Sequence, residues 1–444
     1  MKKPLILILL LVNLFFSNSA LSQKTNSKII NAFSDRVFNG DGYRPLESLK
    51  WKYKTDGKIF SSPIAKDGVV YIGSENGFLF AIDEKSGNLK WKFKTNGAIH
   101  SSLSLFENII YFGSFDGNYY AVNTKNGKLL WKFKTGGEHW LGEVGMGGMK
   151  PETQYMEDLW DFYLSSPVVY EKGKSAWVIF GSSDSTIYSV DAKTGELKWK
   201  FKTNGPVHGT PVIDKNKIYV GGWDATLYAL EAESGKLVWQ FQTGTQTGFK
   251  GIQSSVAVHD GKVYFGAREP FFFALNADTG KLVWKYDAEN SWILSSATIK
   301  DNIVYVGTSD TYALLALDAK TGTEKYRFKT NGWTYSSPVI AGNTIYIGDF
   351  TGNLFSLDLL SNGKKFNLTS TENRKQLASS ILKNDLLDSG YTAQNTDLSI
   401  YDNNKKMMDQ FYKLGSILST PFISNNTIYF GSADGYLYAY NLQK

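Results

Sequence analysis

The residues best placed to do chemistry crowd into one stretch, 136–164, which holds Glu138, His139, Trp140, Glu143, Glu152, Glu157, Asp158, Trp160 and Asp161. Two of its carboxylates, such as Glu143 and Asp161, could act as acid and base on a glycosidic bond, which needs carboxyls about 5 to 10 Å apart. Aromatic rings beside them suit sugar rings or protein anchors. Further candidates stand at loop positions: Trp223, Arg268 (where Arg268-Glu269-Pro270 replaces an Asp-Gly turn), Trp292, Trp333 and Tyr335. If those loops share a face, it carries an aromatic surface. Taken singly, each reads as packing between structural units, because tryptophan is usually well buried. His100 and His208 occupy similar contexts, but a whole sequence unit separates them and no recognised ligand spacing is present, so no metal site is expected. No nucleophile elbow, phosphate loop or HExxH helix occurs, and Gly145-Met146-Gly147-Gly148 opens no strand–turn–helix unit.

Composition removes other classes. The 444 residues contain no cysteine, which excludes disulfides, thiol nucleophiles, Cys-ligated zinc, iron–sulfur clusters and a lipidated N-terminal cysteine. A net charge of +6, two of it from Lys2 and Lys3, is too small and too evenly mixed for a nucleic-acid binder. Residues 1–22 read as a secretory signal: Lys2 and Lys3, an apolar run from Leu5 to Phe16, then Ala20-Leu21-Ser22. That run is short against the roughly 20 residues needed to cross a bilayer. The mature chain is therefore expected to be periplasmic or secreted, without a membrane span.

The elements that must position these residues come from a repeat of about 40 residues. A short apolar strand ending in glycine recurs, as in Tyr71-Ile72-Gly73, Tyr111-Phe112-Gly113, Ile179-Phe180-Gly181, Tyr219-Val220-Gly221 and Tyr429-Phe430-Gly431. Each unit carries four short strand signals separated by turns such as Asn76-Gly77 and Asp116-Gly117, which describes an antiparallel meander. Trp91, Trp131, Trp199, Trp239 and Trp284 each follow an acidic or amide turn residue by eight positions and would pack between neighbouring units; later copies carry Tyr326 and Phe366. The chain opens with a lone tryptophan strand, Leu49 to Tyr53, and ends in a unit lacking one. Joining the two closes a ring and hides sheet edges. The expected fold is all-β, a β-propeller over 49–444 with the insertion at 136–164 and an N-terminal extension at 23–48. Nine entry strands can be counted, one of them degraded (Ser379 to Leu382, Tyr391 to Ala393, Leu398 to Asp402). The ring thus has eight or nine blades.

These units resemble the PQQ-like, or quinoprotein-type, propeller repeats. The docking motif Ala-x-Asp-x-x-Thr-Gly-x-x-x-Trp is matched by Ala316-Leu317-Asp318 through Thr321-Gly322, with Tyr326 in place of tryptophan. The motif residues are those that pack blades together, so they fix the fold and not the function. The resemblance implies one of two roles. The first is an exported, non-catalytic scaffold that binds a protein or carbohydrate through its loop face, similar to the outer-membrane assembly propellers; no cofactor is expected. The second is a quinoprotein dehydrogenase holding PQQ and calcium in its funnel, although the cysteine pair usual above that cofactor is missing. The insertion's carboxylates leave a carbohydrate-active enzyme as a third reading.

Overall fold

The computed structural model describes residues 29–31, 36–145, 152–244, 251–387 and 398–443; the expected leader at 1–22, Met146 to Gly148 and Tyr391–Ala393 lie outside them. Eight four-stranded antiparallel sheets follow one another along the chain, at 64–94, 104–134, 168–202, 212–242, 257–287, 298–329, 339–370 and 422–442. The eighth is completed by the strand Leu46–Lys54, which pairs with Tyr436–Leu442 from the other end of the chain. The fold is therefore an eight-bladed β-propeller, closed by the opening tryptophan strand as the repeat predicts.

Strand chemistry follows position in the blade. Second and third strands are covered by neighbouring blades on both faces and are almost wholly apolar, as in Val69–Gly73 and Phe78–Asp83. The outer strand has one wet face and alternates, as in Leu89–Lys94, whose lysines are exposed.

The tryptophan motif has a definite task. Trp131 lies opposite Ala121, where the ladder slips by one residue, and it reaches the next blade. Its indole N–H donates to the carbonyl of Ala192 at 3.0 Å, and the Tyr111 hydroxyl donates to the same oxygen at 2.9 Å. One carbonyl with two lone pairs thus receives both motif residues. Gly195, at φ 74°, lies flat under that indole: a Cβ there would stand 2.7 Å from the ring. The pattern repeats for Tyr219 and Trp239 on Ala277, and for Tyr264 and Trp284 on Ala319.

A second seam runs around the axis. Backbone N–H groups of Ser62, Ser102, Ser166, Ser255, Ser296 and Thr420 each donate to the hydroxyl of the entry residue in an adjacent blade, at 2.8 to 3.1 Å.

The ninth, degraded unit is not a blade. Ser379 to Ile381 end helix α1 (Glu372–Ile381), and Ile400 onward is helix α2 (Ile400–Lys413). Thr371 and Ser399 cap them, each side-chain oxygen accepting an N–H three residues on. Without the turn glycine or a docking tryptophan, that segment has nothing to fix a strand against a neighbour, and it folds as helices between the seventh and eighth blades.

Two described pieces of the N-terminal extension add to innermost strands. Ile29–Asn31 pairs antiparallel with the innermost strand of blade 2, and Val37–Phe38 pairs parallel with that of blade 7.

Candidate functional site

The insertion at 136–164 leaves blade 2 on the face where each outer strand passes to the next blade. It forms a hairpin, Gly142–Val144 with Tyr155–Glu157, and then returns over the funnel mouth. Buried contacts hold its return limb. Asp158 forms an ion pair with Arg268, both side chains fully buried, and the Arg268 Nε donates to Gln253 at 3.3 Å. The Gln253 amide in turn donates to the Trp160 carbonyl at 3.2 Å. His208 Nδ1 is 2.8 Å from Asp161 Oδ1, and His100 Nδ1 is 2.9 Å from the Phe162 carbonyl. Glu138, at the departing limb, accepts from Thr135, Ser182 and Ser183.

Electrostatics separates the two histidines. Burial pushes His100 down to about 4, so it is neutral when it meets the Phe162 carbonyl. Burial also opposes a charge on His208, but the Asp161 carboxylate, with Glu138 beyond it, outweighs that cost and raises His208 above its ordinary value. Ser183 Oγ stands 2.7 Å from His208 Nε2 and 2.9 Å from Glu138 Oε2. The Ser183 hydroxyl thus bridges the Glu138 carboxylate and the imidazole, whose other nitrogen faces Asp161.

The spacing Ser183–His208–Asp161 matches a hydrolase triad. Its surroundings do not. Ser183 is only 3% exposed, and its hydroxyl is taken up by the Glu138 carboxylate instead of facing open space. The arrangement is a latch.

The sequence-predicted residues fall into separate places. Trp160, Asp161, Trp223, Arg268 and Trp292 come together: the Arg268 guanidinium lies 4.3 Å from the Trp223 ring and 5.0 Å from the Trp292 ring, and Trp160 meets Trp292 edge-on. Trp333 and Tyr335 are buried under α2, against Phe162, Phe350 and Phe411. His139 and Trp140 line an outer cleft, with Trp140 stacked on Phe115 at 4.2 Å. Glu143, opposite Met156 in the hairpin, is exposed and lines neither cleft described below. Sequence reasoning missed the roles of His100, Glu138, Asp158, Ser183 and Gln253. The two histidines at equivalent repeat positions were the available signal, since both turn toward the insertion.

Two clefts open beside the hairpin and share Trp140 and Glu157. One, of about 490 Å³, is lined by Phe115, Glu138, His139, Trp140, Tyr155 and Glu157. The other, of about 180 Å³, runs toward α2 past Glu75, Asp158, Asp161, Lys405, Asp409 and Tyr412. On the axis, by contrast, the cavity bounded by Tyr163, His208, Gln253, Leu294, Tyr335 and the entry hydroxyls measures about 20 Å³. That is room for about one water. A tricyclic quinone does not fit there, and among the described residues no group of three His, Cys, Asp or Glu could hold a metal ion.

The fold and its docking motif define a PQQ-like eight-bladed β-propeller. The family model described as outer membrane protein assembly factor BamB matches residues 44–144, 134–254 and 244–444, so the chain belongs to that family. Among solved structures it is similar to BamB from Moraxella catarrhalis, at 16% identity and a TM-score of 0.62, covering 89% of this chain and 99% of that one. It is also similar to the quinohemoprotein alcohol dehydrogenase of Comamonas testosteroni, at 14% identity and 0.63, covering 89% and 76%. A europium-containing methanol dehydrogenase matches at 13% identity and 0.65, covering 93% and 96%. At such identities the likeness shows the fold alone. No curated protein matches the sequence.

Proposed function

We propose that this chain is an exported, non-catalytic scaffold that binds a protein through the loop face built by its insertion. The observation that carries the reading is the contrast between the two ends of that face: the funnel mouth is packed shut, while the outer cleft stands open. The cleft's chemistry selects its partner. Lys58 neutralises Glu75, and Thr135, Ser182 and Ser183 hold Glu138, but Glu157 and Asp409 still outnumber Lys405, and Phe115, Trp140 and Tyr155 supply aromatic faces. Such a lining takes a basic side chain by charge and by cation–π attraction. The preferred partner is an extended segment carrying lysine or arginine. Family membership supports a protein partner, and the leader-like residues 1–22 support a periplasmic setting. Among the described residues no helix is long and apolar enough to cross a membrane.

Panning the purified protein against a random peptide library tests the reading. Enrichment of lysine- and arginine-bearing peptides, lost in Trp140→Ala and Glu157→Lys, is the expected result. Enrichment that both variants retain, or glycan binding at the cleft instead, would overturn it.

A further inference from the structure

Charge is not spread evenly round the wheel. The outer strands of blades 8, 1, 2 and 3 (Leu46–Lys54, Leu89–Lys94, Leu129–Lys134, Leu197–Lys202) carry eleven lysines against a single acid, Glu47. Those of blades 4 to 7 (Leu237–Gln242, Leu282–Asp287, Glu324–Lys329, Phe366–Ser370) carry four basic residues against two acids. The lysine-rich blades are consecutive: Trp51 donates to the carbonyl of Glu84, Trp91 to that of Thr124 and Trp131 to that of Ala192, each indole reaching the next blade's turn. The turns leading into the outer strands of blades 1 to 3, at 83–88, 123–128 and 191–196, hold four acids and four lysines and leave the excess unchanged.

Structural uses of these lysines do not account for that excess. Edge lysines deter sheet-to-sheet pairing, but the need is the same at all eight edges, whereas Leu237–Gln242 and Phe366–Ser370 have no charge. Lys94 donates to the Asn76 carbonyl at 2.5 Å, and Lys202 to that of Asp184. Lys90 and Lys198 approach the turn aspartates Asp83 and Asp191 at 3.7 and 3.4 Å, in exposed pairs that contribute little. The residue after each tryptophan has no such task. There Lys132 and Lys200 are exposed and form no ion pair or hydrogen bond with the described residues, and Lys92 rests over the Phe78 ring, 4.6 Å from its centre. Blade 4 has Gln240 at that position.

The shape of the arc narrows the partner. Eight blades in a closed ring turn the rim by about 45° per blade, so a flat bilayer meets two adjacent blades at most, while the lysines continue over four. A flexible chain can follow them all. Exposed Leu49, Leu89, Leu130 and Leu197 stand beside the lysines on these strands, and a polypeptide has apolar side chains to cover them where an acidic sugar polymer has none.

We propose that the rim of blades 8, 1, 2 and 3 docks an extended acidic polypeptide segment with interspersed apolar residues. No residue lining the loop-face clefts lies on these strands, so this surface is independent of the cleft.

Fluorescence anisotropy of a labelled random copolymer of glutamate and tyrosine, titrated with the full mature chain at low salt, tests it. The expected result is saturable binding that weakens as salt rises. A triple variant, Lys92→Gln with Lys132→Gln and Lys200→Gln, should bind about tenfold more weakly. Such changes at exposed positions leave the fold intact. Lys285→Gln with Lys325→Gln and Lys329→Gln, on blades 5 and 6, should leave binding unchanged, and so should Trp140→Ala in the cleft. No binding, or an equal loss in the two triple variants, would overturn the site. Binding of polygalacturonate or of phosphatidylglycerol vesicles without binding of the copolymer would likewise overturn it, assigning the arc to a glycan or a membrane.

Discussion

His208 and Asp161 face each other across 47 residues of sequence, 2.8 Å apart and fully buried, so the entry to blade 4 grips the end of an insertion that leaves blade 2. Removing one partner of such a pair strands the other. Asp161→Asn is expected to cost about 3–5 kcal/mol. The loss should concentrate in the insertion, seen as faster amide exchange at 156–164 with the blade strands unchanged.

The two buried histidines give opposite pH dependences. His208, raised when folded, adds stability that is fully present below its unfolded value of about 6.5 and is lost as pH climbs through the folded value. His100 is held near 4 when folded, so the unfolded chain binds the extra proton between about 4 and 6.5. Its term is therefore lost as pH falls through that window, by roughly 3 kcal/mol in total. Urea midpoints measured from pH 4 to 8 should show a flatter acid limb in His100→Gln and a flatter alkaline limb in His208→Gln.

Arg268 and Asp158 form the other buried pair. Arg268→Met alone leaves Asp158 uncompensated and should destabilise by about 3–5 kcal/mol. Combining it with Asp158→Leu should recover most of that loss, giving a large coupling energy in a double-mutant cycle.

At the blade seams, Gly195→Ala sets a methyl against the Trp131 indole at a backbone angle that disfavours any side chain. Destabilisation by about 2 kcal/mol is expected, the sum of overpacking and φ strain. Trp131→Ala should cost more, about 3–5 kcal/mol, because it also strips a donor from the Ala192 carbonyl. Equilibrium unfolding checks both.

Much of the wheel was legible because its signals are local. A glycine two residues after Tyr219 and a tryptophan eight after Glu231 each record one contact repeated around the ring. The ninth unit misled because Ser379-Ser380-Ile381 imitates an entry strand, while the Thr371 and Ser399 caps that make it helical need no repeat. The site was harder. Asp158 with Arg268, and Asp161 with His208, are pairs joined only when the insertion folds back over the mouth, and no periodicity encodes that return. Ile29–Asn31 and Val37–Phe38 carry too short a pattern to reveal that they pair with the innermost strands of blades 2 and 7.

Photo-crosslinking in the living cell puts the loop-face reading to its most direct trial. A photoreactive residue at His139, in the open cleft, should yield discrete protein adducts, whereas the same residue at Asn216, in a first-to-second-strand turn on the opposite face, should not. Adducts at Asn216 with none at His139 would contradict the account.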